Sequence, residues 1–151
     1  MKIYKRTIVL LVSLVIALLL TACKSATTST PSNIITGIVW QWESVTNQTT
    51  SEKTTVPVPR NYTITFNTDG TLTGKADCNN FSGTYSQENG FSIKLGAITN
   101  AYCGDTSLDQ QYLTLLGSVA AGGPDGAGGL ALDTPGGEQH MLFKNGGTVS
   151  K

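Results

Sequence analysis

The sequence has few charged residues, a single histidine and no phosphate-binding loop, and each of these features argues against a class of function. Only 13% of the 151 residues are charged, and ten basic residues are balanced by ten acidic ones, which argues against nucleic acid, whose binding favours a basic patch. His140 is the single histidine, and nothing around it indicates the Ser-His-Asp arrangement that nucleophilic catalysis needs. No glycine-rich loop is followed by Lys and then Ser or Thr, as a phosphate-cradling loop would be. We therefore do not expect an enzyme.

The N-terminal segment has the pattern of an export signal. Three basic residues among the first six precede an apolar run from Thr7 to Leu20, which is shorter than the roughly 20 residues that a spanning helix needs. The run ends in Leu20-Thr21-Ala22-Cys23, where small residues suit a peptidase and the cysteine offers a thiol for acylation. We expect residues 1–22 to be a lipoprotein signal peptide that is removed, and Cys23 to carry lipid.

Lipid on Cys23 makes the membrane the first expected partner. Bacterial lipoproteins carry several acyl chains, such as palmitate, on one cysteine, and stable anchoring takes more than one signal. Lys24 follows the anchor instead of Asp, which by similarity to Gram-negative sorting rules favours the outer membrane, facing the periplasm. In a host without an outer membrane, the outer face of the cell membrane is expected. Residues 23–36 are rich in Ser and Thr and are expected to form a lipidated, flexible tether.

Two cysteines, Cys78 and Cys103, remain once Cys23 is assigned to lipid. In an exported protein they favour a disulfide, which would close a loop of about 26 residues and stabilise the fold by about 3–4 kcal/mol. Two free thiols or half of a metal site are the alternatives. A metal site needs more ligands than these cysteines and His140 supply, so we expect neither a metal nor another cofactor.

Alternating apolar residues predict about seven strands. The segment Ser51–Arg60 is expected to be a loop or a sheet edge, and the Gly-rich stretch Ala121–Gly129 a loop. Small residues on the face of Leu72, Gly74 and Ala76 suggest that something bulky, such as a helix, approaches closely. The predicted strands are Ile38–Ser44, Tyr62–Phe66, Thr71–Ala76, Phe81–Ser86, Phe91–Ile98, Leu130–Asp133 and Gln139–Phe143.

One helix is predicted after Ser107. The stretch Ser107–Gln110 fits a capping box, in which the serine oxygen accepts a free backbone N–H and the glutamine reaches back to another. Apolar residues then recur at helical spacing: Leu108, Tyr112, Leu115 and Leu116. Antiparallel hairpins with one apolar face must cover that face. We therefore expect an α+β, mainly β fold, a curved antiparallel sheet or open barrel of about seven strands packed on one helix.

Three further patterns carry little functional weight. Asn67–Gly70 opens like a calcium loop but lacks the glutamate that should follow, so a turn is expected. Gly122–Gly126 is a single glycine repeat without a period. Asp77, Asp105 and Asp109 could form an acidic patch beside the cysteines, although the helix dipole explains Asp109 better.

Taken together, the sequence blocks resemble the META domain of HslJ-like heat-shock proteins. The hallmark is Cys-Asn-x-Phe-x-Gly-x-Tyr, and it is matched here by Cys78, Asn79, Phe81, Gly83 and Tyr85. Thr99-Asn100-Ala101-Tyr102-Cys103 resembles the second cysteine block of that family, which its helix follows. The likeness places a META domain at residues 37–145 and leaves a tail at 146–151. It implies a β-rich α+β fold and brings no catalytic residues with it.

The family-motif residues Asn79, Phe81, Gly83 and Tyr85 are expected to act in structure more than in binding. An asparagine beside a disulfide cysteine commonly satisfies the backbone groups of a turn, and contact with a ligand is the alternative. Trp40 and Trp42 share one strand face and are expected in the core, with the lining of a groove as the alternative.

The resemblance also implies a class of function, because family members are associated with envelope stress. We expect a non-enzymatic envelope lipoprotein that binds or stabilises another, unknown envelope protein, with a strand edge or the Gly-rich loop as the contact site. The alternative is a carrier of a lipid or small hydrophobic ligand, with a cavity along the helix face of Leu108, Tyr112 and Leu115. A hydrolase is the third class, and it requires paired carboxylates at a defined separation.

Overall fold

The computed structural model describes residues 35–149, which form one antiparallel sheet of nine strands and one α-helix. The predicted signal peptide, Cys23 and nearly all of the tether lie outside these residues. Within them, no helix has the length and apolar content to cross a membrane. The helix α1 is Asp109–Gly117, and the strands are β1 (Ile38–Asn47), β2 (Lys53–Thr55), β3 (Tyr62–Phe66), β4 (Thr71–Ala76), β5 (Asn79–Ser86), β6 (Ser92–Ile98), β7 (Ala121–Pro124), β8 (Leu130–Asp133) and β9 (Gln139–Thr148).

Eight strands follow one another across the sheet in the order β6-β5-β4-β3-β1-β9-β8-β7, and β2 pairs separately with β1. The sheet curls so far that its two ends touch, where the Phe91 backbone N–H donates to the Ala120 carbonyl at 3.1 Å. The helix α1 packs against β4 and β6 and covers the apolar inner face. The result is a half-barrel around one helix, which confirms the predicted fold class.

Two strands were not among the seven predicted. β7 lies in the Gly-rich stretch that was predicted to be a loop, and that prediction is wrong for Ala121–Pro124, which pairs with β8. A side chain at Gly122 would collide with Leu132 of the neighbouring strand, so the glycine serves close strand packing that apolar periodicity does not reveal. β2 is a three-residue edge strand inside the segment predicted as a loop or an edge.

The faces predicted to point inward form the core. Trp40 and Trp42 are 3% and 0% exposed, and the Ile64 side chain of β3 is fully buried. From the helix, Tyr112 stacks on Trp42 with 5.0 Å between ring centroids. Each Å² of apolar surface removed from water contributes about 25 cal/mol, so these large rings supply much of the stability. At Gly74 itself the bulky neighbour is the ring of Phe81 on the next strand, and the expected helix packs against the same strand, β4.

Two tyrosine hydroxyls in the core differ in their hydrogen bonding. The Tyr62 hydroxyl accepts the Leu108 backbone N–H at 2.9 Å. The Tyr112 hydroxyl is buried and has no hydrogen-bond partner among the described residues, and burial raises the pKa of Tyr112 well above its usual 10.0. A buried polar group without a partner costs about 1–3 kcal/mol.

Replacing each tyrosine by phenylalanine should therefore have opposite effects on stability. We expect Tyr112→Phe to leave the free energy of unfolding unchanged or to raise it by about 1 kcal/mol, because a desolvated hydroxyl is removed. Tyr62→Phe should lower it by about 1–2 kcal/mol, because the Leu108 N–H loses its acceptor. Urea denaturation of both variants measures the two changes. Clear destabilisation by Tyr112→Phe would show that its hydroxyl has a partner, such as a bound water.

Candidate functional site

The cysteine block lies at one end of the half-barrel, in the turn between β4 and β5. Asp77 occupies this turn with a positive φ of 56°, and Cys78 follows it. Cys78 is bonded to Cys103, with 5.6 Å between their Cα atoms. The predicted disulfide is therefore present, and it fixes the loop after β6 to the β4–β5 turn.

Asn79 adds a network of hydrogen bonds beneath the disulfide. Its side chain is almost fully buried, at 1% exposure. The Oδ1 atom accepts the Ala101 backbone N–H at 2.8 Å and the Thr99 hydroxyl at 3.1 Å. The Nδ2 group donates to the Ala101 carbonyl at 3.0 Å and to Asp109 Oδ2 at 3.2 Å, and it lies 3.2 Å from Cys103 Sγ. One amide thus links the turn, the loop and the first turn of α1.

The other residues of the family motif support the sheet around this network. Phe81 is 4% exposed and lies in the core. Any side chain at Gly83 would collide with the Lys94 carbonyl of β6, at the place where the β5–β6 register shifts. The Tyr85 hydroxyl donates to the Asn67 carbonyl at 2.8 Å and so ties β5 to the β3–β4 turn.

The helix α1 begins at Asp109, beside the disulfide. Ser107 Oγ accepts the Asp109 backbone N–H at 3.2 Å, but the N-cap residue is Leu108 and no side chain caps the helix. The predicted capping box is therefore wrong in both halves, since Gln110 does not reach back either. The Ser107 N–H donates instead to the Gly104 carbonyl at 3.1 Å, so no donor is left for the glutamine, whose side chain turns towards Asp109 at 3.5 Å.

A cleft of about 450 Å³ opens between the loop and the start of α1. Tyr102 stands at this cleft with 80% of its surface exposed, the largest exposure among the large apolar residues of the described part. Its hydroxyl donates to the carboxylate of Asp105, and this bond raises the pKa of Tyr102 above its usual 10.0. An exposed aromatic ring is thus held in one orientation.

The predicted acidic patch forms only in part. Asp105 and Asp109 line the cleft, whereas Asp77 accepts from the Asn61 amide at 3.2 Å and the Tyr62 hydroxyl at 3.3 Å. Across residues 35–149, no three His, Cys, Asp or Glu side chains are arranged to hold a metal ion. The carboxylates here are occupied in hydrogen bonds that shape the loop.

An apolar groove of about 310 Å³ adjoins this loop along β6. β6 meets the other end of the sheet only at Phe91, so near Ile98 it is an edge strand, and an edge strand presents backbone groups that can pair with another chain. Ile98 is 41% exposed there. Residues 97–105, which line the groove at one end and the cleft at the other, are called the 97–105 surface below.

His140 is paired with Asp133, which the sequence did not predict. Its Nδ1 lies 2.7 Å from Asp133 Oδ1, with the two side chains 32% and 30% exposed. The two residues are direct cross-strand neighbours in the β8–β9 hairpin. The pair could therefore have been predicted from the register of that hairpin. Among the described residues, no hydroxyl completes a triad with this pair.

A half-barrel closed by one helix, with a disulfide that fixes the loop before that helix, defines a small, mainly β domain of the α+β class. The model of the META domain family matches residues 33–146, and the protein therefore belongs to the META domain family. A crystal structure of a DUF4847 family protein from Bacteroides vulgatus ATCC 8482 is similar, with 16% sequence identity, a TM-score of 0.53, and coverage of 78% of this chain and 97% of that one. At this identity the likeness shows the fold alone. No curated protein matches the sequence.

Proposed function

We propose that the protein is a membrane-anchored envelope lipoprotein whose META domain binds another envelope protein and catalyses no reaction. Lipid on Cys23 holds the domain at the outer membrane, facing the periplasm, or at the outer face of the cell membrane. The 97–105 surface carries the proposal, because an exposed aromatic ring, an apolar groove and a strand edge lie side by side in it. The family resemblance adds that this binding serves the envelope under stress.

A protein segment suits the 97–105 surface better than a small molecule does. An extended segment can pair with an edge strand through its backbone while its side chains enter adjacent pockets. Tyrosine is enriched among the residues that contribute most to protein interfaces. Because Asp105 already orients the Tyr102 ring, binding loses less side-chain entropy.

No observation favours the carrier in the same way. The expected cavity would run along the helix face of Leu108, Tyr112 and Leu115, but Tyr112 is fully buried and stacks on Trp42. Protein side chains therefore fill the middle of that face. The two carboxylates at the neighbouring cleft, Asp105 and Asp109, accept hydrogen bonds from Tyr102 and Asn79, which supports a role in shaping the loop over the paired roles of a hydrolase.

The anchor is tested by metabolic labelling with an alkyne analogue of palmitate in the native host. We expect the wild-type chain to carry the label and to fractionate with membranes. Cys23→Ala should carry no label and should accumulate with its signal uncleaved, because the acylated thiol is missing. The double variant Cys78→Ala/Cys103→Ala is the matched control and should keep the label. Label on the Cys23→Ala chain would contradict the anchor.

The partner surface is tested by a photo-crosslinking amino acid placed at single positions of the full chain in cells. Positions 98 and 102 should each yield one discrete adduct with the same envelope protein. Val58, which is 37% exposed and lies outside the 97–105 surface, is the matched control and should give none. Adducts of equal strength from position 58, or none from positions 98 and 102, would contradict a protein partner at this surface.

A further inference from the structure

We propose a second binding site, for a neutral sugar unit, at the mouth of the half-barrel. The inner face of the sheet is apolar until the strands reach this mouth, where polar side chains replace the apolar ones. They converge from β1, β9 and the segment around β2, and a side chain of α1 faces them across a cleft of about 200 Å³. The cleft is lined by Val45, Asn47, Glu52, Thr54, Gln111 and Gln139.

The strand register places these side chains on the inner face. Val45 lies opposite Thr54, and Asn47 lies opposite Gln139, and directly paired residues project to the same side of a sheet. Val45 is 3% exposed and belongs to the core, so that side is the interior. The mouth of a β-barrel is a common position for ligand sites.

The lining side chains have unused hydrogen-bonding capacity. The Asn47 Oδ1 atom accepts two backbone N–H groups of the following turn, at 2.9 and 3.0 Å, which leaves its NH₂ group for a ligand. Four other lining residues form hydrogen bonds through their backbone at most, and their side chains bond to no residue of the described part: Glu52, Thr54, Gln111 and Gln139. Polar groups that converge without satisfying one another are available to a ligand.

The chemistry of the lining selects a neutral, hydroxyl-rich ligand. Amide and hydroxyl groups both donate and accept, as do the hydroxyl and acetamido groups of an N-acetylated sugar. No basic side chain lines this described cleft, and Glu52 is its one charge, so an anionic ligand would meet repulsion without a counter-charge. The volume is below the roughly 300–1,000 Å³ of sites for drug-sized ligands, which fits one sugar unit or the end of a chain.

Saturation-transfer NMR with N-acetylglucosamine tests this site on the full lipidated chain in detergent micelles. We expect a saturable signal in the millimolar range, and a weaker signal for glucose 6-phosphate because of Glu52. Gln111→Leu and Thr54→Val should each weaken binding by about threefold to tenfold, the effect of losing one hydrogen bond. Gln110→Leu is the matched control, because Gln110 neighbours Gln111 on α1 but lines the other cleft, and it should leave the sugar signal unchanged.

Three results would overturn this site: no saturable signal, a signal that Gln111→Leu and Thr54→Val leave unchanged, or tighter binding of glucose 6-phosphate. Gln111 is exposed on the helix surface, so circular dichroism should show that its variant stays folded. The site depends on neither the anchor nor the protein partner. Cys23→Ala and Tyr102→Ala should therefore leave the sugar signal intact, even if the proposed function fails.

Discussion

Replacing Cys78 and Cys103 together by alanine is expected to lower the free energy of unfolding by about 3–4 kcal/mol. The disulfide joins residues 25 positions apart, and without it the unfolded chain gains conformational freedom. Each kcal/mol shifts the melting temperature of a domain of this size by about 4 °C, so the midpoint should fall by about 12 °C or more. Calorimetry of the double variant measures the shift.

Reduction of the disulfide in the wild-type chain tests the same contribution to stability. A reducing agent should lower its melting temperature to that of the double variant, and should leave the variant unchanged. A drop of less than about 1 kcal/mol in the double variant, well below the range usual for native disulfides, would show that hydrogen bonds alone hold the loop.

Asn79→Ala is expected to cost about 3–5 kcal/mol, because four hydrogen bonds of its buried side chain are lost at once and each contributes about 0.5–1.5 kcal/mol. The Ala101 N–H and carbonyl lose the side chain that bonds both of them, and the Asp109 carboxylate, 7% exposed, loses a donor. A buried group left unsatisfied costs about 1–3 kcal/mol, and more if it is charged. Urea denaturation measures the loss.

Asn80→Ala is the matched control for this variant. Asn80 is the next residue along β5 and is exposed, and only its backbone takes part in hydrogen bonds within the described part. Its replacement should change stability by no more than about 0.5 kcal/mol. Equal effects of Asn79→Ala and Asn80→Ala would contradict the network described here.

Strands with alternating apolar side chains could be predicted from the sequence, and a strand without such alternation could not. Tyr62, Ile64 and Phe66 repeat with period two, which is the geometry of a half-buried strand. β7 has the sequence Ala-Gly-Gly-Pro, which contains no alternation of apolar side chains, and Gly122 permits close packing against β8. Its position depends on the neighbouring strand, and no local window contains that information.

In the candidate sites, too, some features could be predicted from the sequence and others could not. The Cys78–Cys103 pair followed from the export signal and the count of cysteines. The exposure of Tyr102 could not be predicted, because an aromatic residue is expected to be buried, and here the side chain is 80% exposed. The polar side chains at the mouth of the half-barrel could have been predicted from β9. Gln139 shares the face of Met141 and Phe143, so a polar residue occupies a position where the alternation predicts an inward-facing side chain.

The disulfide and Asn79 together hold the 97–105 surface in place. Hydrogen exchange of the full lipidated chain, compared among wild type, Asn79→Ala and Asn80→Ala, tests this role most directly. In Asn79→Ala, the amides of residues 99–108 should exchange about tenfold faster or more, while the β8–β9 hairpin changes less and Asn80→Ala matches wild type. Unchanged exchange in the loop, or an equal increase across the whole sheet, would contradict this role.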